Sequence, residues 1–229
     1  SVKVLYLSQP DSGLRREVWF SEDASNQKRV EEYKKYLTKL HENNGLSPEE
    51  AGATAARVTD MMKELASSTL KIEEVYDAEK TYNVCTAGEA ASLYSGALPF
   101  SLLNSIFGIQ EGEKTVVSQP DACRKLGSYL KEENLPLLKE YVKTCLYSDL
   151  SMMTDTASLA AAQEYQTAAG GIEKKKDFER TVSETVQEKL GFQCGRVFCE
   201  TYFNEDAKQD VASIIRQIID VYDNRLAHM

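Results

Sequence analysis

The sequence predicts a mainly α fold, a multihelical lobe with a small N-terminal β-hairpin. Three observations predict it. Apolar residues recur at steps of three and four over most of the chain after Ser25. Two S/T-x-x-E signals, Ser47-Pro48-Glu49-Glu50 and Thr86-Ala87-Gly88-Glu89, mark helix starts. Strand-like alternation is confined to the beginning of the chain.

In chain order, Val2, Val4 and Tyr6 alternate with Lys3 and Leu5, Pro10-Asp11-Ser12-Gly13 supplies turn chemistry, and residues 14–20 form a second extended candidate. Residues 1–24 are therefore read as the hairpin and 25–229 as the helical lobe. Val30, Tyr33, Leu37 and Leu40 share one helical face, and Asn43-Asn44-Gly45 ends that helix. At the next start the Ser47 hydroxyl can accept from the N3 amide, Pro48 sits where no N–H is needed, and Glu50 can reach back. Ala51, Ala55, Val58, Met62 and Leu65 make the buried stripe behind it. A short helix follows Thr86, and Pro99 separates it from a helix over 100–107 that Gly108 closes. Further helices are expected over about 121–132, 135–148, 156–169 and 177–190, then a short one over 195–202 after Gly191. Asn204 caps a last helix whose apolar side carries Ala207, Val211, Ile214, Ile215, Ile218, Val221 and Tyr222. No internal repeat of fixed period is present, and no long polar linker cuts the chain.

Of 229 residues, 27 are Lys or Arg and 36 are Asp or Glu, a formal charge of −9. That balance argues against nucleic acid, whose phosphates demand clustered cations, and against an anionic membrane surface. With 42% hydrophobic residues the chain can bury a core. No apolar run approaches the roughly 18 to 20 residues of a membrane span. The N-terminus shows no initiator Met and no signal-peptide pattern, so the chain is read as a processed or excised piece.

Catalytic constellations are hard to find. His41-Glu42-Asn43-Asn44-Gly45 opens like H-E-x-x-H but has Gly where the second imidazole would stand, so His41 is read as a surface cap on a helix C-terminus. The other histidine, His228, lies near the chain end. Cys85, Cys123, Cys145, Cys194 and Cys199 are an odd set without a C-x-x-C pair. They read as unpaired packing residues, with Cys145 on the stripe of Leu138, Tyr141 and Val142. Gly170-Gly171 lacks phosphate-loop spacing, and the lysines at 174–176 read as a solvated loop. Met61-Met62 and Met152-Met153 read as core. Adjacent acids such as Glu49-Glu50 and Glu73-Glu74 do not face each other on a helix. No catalytic, cofactor-binding or metal residue is assigned. The pattern suits a scaffold or a lid.

The second half carries a family pattern. Leu135-Pro136-Leu137-Leu138-Lys139-Glu140-Tyr141-Val142 is followed by Leu190-Gly191-Phe192-Gln193-Cys194-Gly195-Arg196-Val197-Phe198, then Tyr202-Phe203-Asn204-Glu205-Asp206-Ala207-Lys208 and a long helix. This order resembles the N-terminal, non-catalytic half of the neprilysin-like zinc metallopeptidases: neprilysin, the endothelin-converting enzymes and PepO-type oligoendopeptidases. The helix pair over 33–65, Tyr82-Asn83 ahead of Glu89, and Val116-Val117-Ser118-Gln119-Pro120-Asp121 fall in the same order, so the resemblance covers about 25–229. Asp177-Phe178 with Thr181 replaces the family's Arg-Trp pair and following Cys, which favours a bacterial-type member. Phe198 stands where Tyr is usual.

The resemblance implies a parent zinc endopeptidase that cleaves peptides of limited size. It places H-E-x-x-H, the downstream glutamate ligand and the substrate-holding N-A-Y/F strand C-terminal to this chain. No cofactor is expected here, and zinc is expected in the parent's catalytic domain. The implied partners are the catalytic lobe of the same polypeptide and peptide substrates. Relatives are membrane-anchored, surface-bound or cytoplasmic, so the resemblance fixes no compartment. The alternative is a stand-alone helical protein-interaction module without activity. An excised lobe is further expected to dimerise through its exposed docking face or to leave an apolar face uncovered.

Overall fold

The structure, a computed structural model, describes residues 4–170 and 177–228. The chain divides into two compact units, Ser1–Lys175 and Lys176–Met229.

The first unit is mainly helical, as the periodicity predicts. Its elements are β1 (Leu5–Leu7), α1 (Arg16–Trp19), α2 (Ala24–Asn43), α3 (Pro48–Ser67), α4 (Ile72–Val75), α5 (Ala78–Thr81), β2 (Asn83–Thr86), α6 (Ala87–Ser92), α7 (Phe100–Phe107), β3 (Lys114–Val117), α8 (Pro120–Tyr129), α9 (Leu135–Leu150) and α10 (Thr156–Gly170). Helices α2 and α3 start where the capping residues stand. The Asp23 carboxylate accepts from the Ser25 and Asn26 amides at 2.9 and 3.1 Å. Ser47 and Glu50 cap reciprocally, as do Thr86 and Glu89 at α6, each box stabilising its helix by about 1 kcal/mol. Gly108, at φ 65, closes α7 in the left-handed conformation.

Helices α2, α3, α9 and α10 pack around the main core. Leu37, Leu40, Val58, Met61, Met62 and Leu65 are essentially inaccessible there, and burial of each large side chain stabilises the fold by about 1.5–3 kcal/mol. Tyr36 stacks on Tyr165 of α10 with ring centroids 5.2 Å apart, and Trp19 meets Tyr33 edge-on at 6.2 Å. Met152 and Met153, expected in the core, lie in the turn after α9 and are 37% and 48% exposed, because that helix ends at Leu150. Val142 likewise faces outward, and Leu138, Tyr141 and Cys145 form the inward side of α9.

The hairpin expectation needs correction. The strand at Leu5–Leu7 exists, but it pairs in parallel with β3, Leu5 to Thr115 and Leu7 to Val117. β3 also pairs antiparallel with β2, giving a three-stranded sheet in the order β1-β3-β2. The segment expected as the second strand contains α1 instead. Val18 and Trp19 are adjacent yet both buried, which the alternation of a strand forbids and a helical turn allows. Gly13, at φ +68, turns the chain toward α2, where a Cβ would lie 2.4 Å from the Tyr33 hydroxyl oxygen. Arg16 then donates to the carbonyls of Ala66, Ser67 and Thr69, holding α1 to the end of α3.

The second unit holds α11 (Phe178–Lys189), α12 (Gly191–Tyr202) and α13 (Glu205–Leu226). Gly191 opens α12 instead of leaving a gap, so that helix starts four residues before the expected Gly195. Asn204 caps α13 by accepting from the Ala207 amide at 2.9 Å. The stripes of Phe178, Val182, Val186 and Leu190 and of Val211, Ile214, Ile215, Ile218 and Tyr222 form as expected, yet they are solvent-exposed. Thr181 is the one buried residue among the described residues of this unit.

Candidate functional site

A concavity of the first unit is built by the segment between β1 and α1. Its backbone is pinned by its own side chains and by the core. Asp11 Oδ1 accepts from the Gly13 amide at 2.7 Å, the Asp11 carbonyl accepts from the Tyr141 hydroxyl at 2.6 Å, and Trp19 Nε1 donates to the Ser12 carbonyl at 2.9 Å. The segment leading into α4 forms the other side. Glu17 Oε1 accepts from the Ile72 amide at 2.8 Å, and the buried Gln119 accepts from the Leu70 amide at 2.7 Å while donating to Gln9. Between them runs a cleft of about 530 Å³, and a second of about 810 Å³ extends toward Tyr165 and Ala169 of α10. The two share Gly13, Leu14, Arg15, Glu17 and Ile72 in their walls. Val75 and Tyr76 line the first cleft, with Tyr76 86% exposed.

Cys145 lies under the first cleft. Burial, with Asp11 adding, pushes its thiol up to about 11, so little thiolate exists near neutral pH and the side chain serves as packing. All five cysteines are free; Cys123 is buried and Cys199 exposed.

A separate cleft of about 390 Å³ lies between the end of α2, the start of α3 and α9. His41 lines it, and its expected place on the surface is corrected: the residue is 3% exposed. Its Nε2 lies 2.8 Å from Thr144 Oγ1, and that hydroxyl donates to the Glu140 carbonyl at 2.8 Å. With the hydroxyl proton so committed, Nε2 carries the proton of the His41–Thr144 bond. Burial lowers the pKa of His41; Glu140 opposes this and Lys143 reinforces it. Glu140 is itself gripped by Arg57, whose Nη2 is 2.6 Å from Oε1. The missing second imidazole is thus matched by a packing role for the first. His228 follows the end of α13.

Among the described residues no three His, Cys, Asp or Glu side chains converge to hold a metal ion, and no helix is long and apolar enough to cross a membrane. The lysines at 174–176 and Gly171 lie outside the described residues. Glu49-Glu50 and Glu73-Glu74 occupy first turns, where Glu50 and Glu74 cap their helices.

A family model described as Peptidase family M13, covering the N-terminal region of such enzymes, matches residues 1–229. The chain belongs to that family. It is the N-terminal lobe of a neprilysin-like M13 peptidase. Neprilysin-1 of Trittame loki is 22% identical over 237 residues, an alignment covering 99% of this chain and 33% of that protein. The fold matches that of the Mycobacterium tuberculosis zinc metalloprotease Zmp1 solved with an inhibitor, at TM-score 0.80 and 18% identity over 99% of this chain and 34% of that one. PepO from Lactobacillus rhamnosis gives TM-score 0.79 at 18% identity, over 96% of this chain and 35% of that one. The chain thus spans about a third of the length of these relatives.

Within this M13 lobe, two of the segments that carried the sequence resemblance span helix junctions, while Leu135 to Val142 forms the first half of α9. Leu190-Gly191 joins α11 to α12, and Tyr202-Phe203-Asn204 joins α12 to α13. The cleft residues escaped the sequence reading. Pro10 to Gly13 registered as a turn, and nothing local connects them with Ile72, Val75, Tyr76 or Gln119, which only the packed structure brings alongside.

Proposed function

We propose that this chain is the substrate-gating, non-catalytic lobe of a zinc-dependent metalloendopeptidase that cleaves peptides of limited size. The observation that carries the reading is the match of the family's N-terminal model to all 229 residues, in a chain only about a third as long as its relatives. In this reading zinc is held by the catalytic domain of the parent polypeptide, and the lobe supplies no ligand to it. The lobe's contribution is steric and recognitional: helical walls restrict which substrates enter, keep bulk water out and line part of the peptide chamber.

Its partners in this reading are the catalytic domain of the same polypeptide and the peptide substrate. The exposed apolar stripes of α11, α12 and α13 support a docking role for the second unit. In isolation the same surface drives self-association, detectable by light scattering as a concentration-dependent dimer.

The test compares this chain with the full parent polypeptide on quenched peptides of increasing length, with zinc supplied. The reading requires an inactive lobe, a parent inhibited by chelators, and a rate that falls off sharply for long or folded substrates. Cleavage by the lobe itself, or a parent indifferent to substrate length, refutes it.

A further inference from the structure

Helix α13 carries a seam that is complementary to itself. Ala207, Val211, Ile214, Ile218, Val221 and Arg225 recur at alternating steps of four and three, the a and d positions of a heptad repeat. The four branched aliphatic side chains among them are all exposed. About Arg216 the seam reads alike in both directions: Ile214 mirrors Ile218, Val211 mirrors Val221, and the small Ala207 mirrors the long Arg225. Two antiparallel copies with a two-fold axis at that level stack Ile on Ile and Val on Val, and the Arg225 stem lies across the partner's Ala207. The flanking e and g positions agree. On one side Lys208 meets the partner's Tyr222 and Ile215 meets the partner's Ile215; on the other Asp210 meets the partner's Asn224 and Gln217 the partner's Gln217. Those are cation–π, apolar and hydrogen-bonding pairs, with no like charges opposed. Arg225 also arrives beside the partner's acidic first turn, Glu205 and Asp206. Lys208 reaches Glu205 of its own helix at 3.3 Å, an exposed pair that contributes little. Arg216, Asp220 and Asp223 stand on outer positions of the repeat.

We propose that α13 pairs with α13 of a second copy of this chain as an antiparallel, two-fold coiled coil centred on Arg216. The proposal rests on the self-association read from the second unit, and it fixes the seam and the direction. A parallel pair fails on the same residues. It sets Asp210 beside the partner's Ile215 and brings the acidic first turns of both copies together. Its d positions, Ile214 and Val221, are also β-branched, which disfavours a parallel dimer. The helix is already formed and capped by Asn204 in the single chain, so pairing orders little backbone. Ile219 and Leu226 fall outside the seam and, with the stripes of α11 and α12, are left for the docking proposed above.

The test follows this chain by sedimentation velocity over rising concentration, then maps the seam by cross-linking. A reversible monomer–dimer equilibrium is expected. Ile214→Ser with Ile218→Ser should weaken it about a hundredfold, whereas Val182→Ser with Val186→Ser on α11 should change it little. The Trp19-reported unfolding of the first unit should stay the same in both variants, which separates lost pairing from lost folding. For direction, single cysteines are placed on a background lacking Cys194 and Cys199, and a short bis-maleimide is added. The Gln217→Cys variant should link to its own kind. The Asp210→Cys variant should link to the Asn224→Cys variant in a mixture and not to its own kind. A chain that stays monomeric, a dimer indifferent to Ile214→Ser with Ile218→Ser, or an Asp210→Cys variant that links to its own kind overturns the proposal. Cleavage by the parent polypeptide keeps the two readings apart. A length-selective, chelator-sensitive parent beside a monomeric lobe removes the seam and leaves the gating lobe. A paired lobe beside a parent indifferent to substrate length removes the gating lobe and supports the seam.

Discussion

Adding one methyl group at two helical glycines should shift stability in opposite directions. Gly127 lies inside α8, and a Cβ there would stand 2.6, 2.7 and 2.9 Å from the Cα, carbonyl carbon and carbonyl oxygen of Tyr94. Those are backbone atoms, so no side chain can swing away, and the helix must back off from the end of α6. Overpacking of this kind costs about 1–3 kcal/mol, against a gain of about 1 kcal/mol from replacing a helical glycine by alanine. Because the clash is with backbone, the cost lies toward the upper end and wins, and Gly127→Ala should destabilise the first unit by up to about 2 kcal/mol. Gly52 lies inside α3 with nothing within 4 Å of an added Cβ, so Gly52→Ala keeps only the propensity gain and should stabilise by about 0.5–1 kcal/mol. Trp19 is the only tryptophan and sits in the core of that unit, so its fluorescence during urea unfolding reports on the affected core. The midpoints should move apart, Gly127→Ala below wild type and Gly52→Ala above it. If both variants shift in the same direction, the close approach of α8 to Tyr94 is not a constraint and the reasoning fails.

Other outcomes follow from single groups. Thr115 Oγ1 is buried on β3 without a hydrogen-bond partner among the described residues. Thr115→Val should therefore raise stability by about 1 kcal/mol, and a lower melting temperature would show that the hydroxyl is satisfied by a bound water. His41 has a pKa lowered in the folded state by burial. Its contribution is complete above about 6.5 and is lost as pH falls from there toward the folded value, because the unfolded chain takes up the proton first. Wild type should lose stability as pH falls below about 6.5, a slope that His41→Asn flattens; equal slopes would place the titration elsewhere. Under native conditions a thiol reagent should label the exposed Cys199 quickly and the buried Cys123 only on unfolding, with peptide mapping to identify the sites.

Local signals predicted the helices and their caps well. The Ser47-Glu50 and Thr86-Glu89 boxes, Asn204 and Gly108 stand where the sequence put them, because each is decided within four residues of chain. The sheet was not legible for the opposite reason: β1 finds its partner about 110 residues away, and the four residues of β3 are too few to show a period. Burial escaped prediction as well. The stripe on α13 has the same helical spacing as that on α3, yet one is exposed and the other forms the core, since amphipathicity identifies an inward-type face without naming what covers it. His41 was misplaced because its cover, Thr144 and Tyr147, arrives from α9. The first cleft depends on chain segments near residues 13, 72 and 119 meeting, a tertiary fact that no window of sequence contains.

The parallel pairing of β1 with β3 has a consequence for how this protein is made. The ribosome releases Leu5–Leu7 early, but the strand that completes their hydrogen bonds is Lys114–Val117. At ordinary rates of translation the first strand waits on the order of ten seconds for its mate. Helices α2 and α3, each completed by neighbouring residues and capped locally, can assemble meanwhile. The N-terminal end should therefore be among the last parts to lock into the first unit, and a nascent chain halted before Val117 should leave Tyr6 open to a protease that spares α2 and α3.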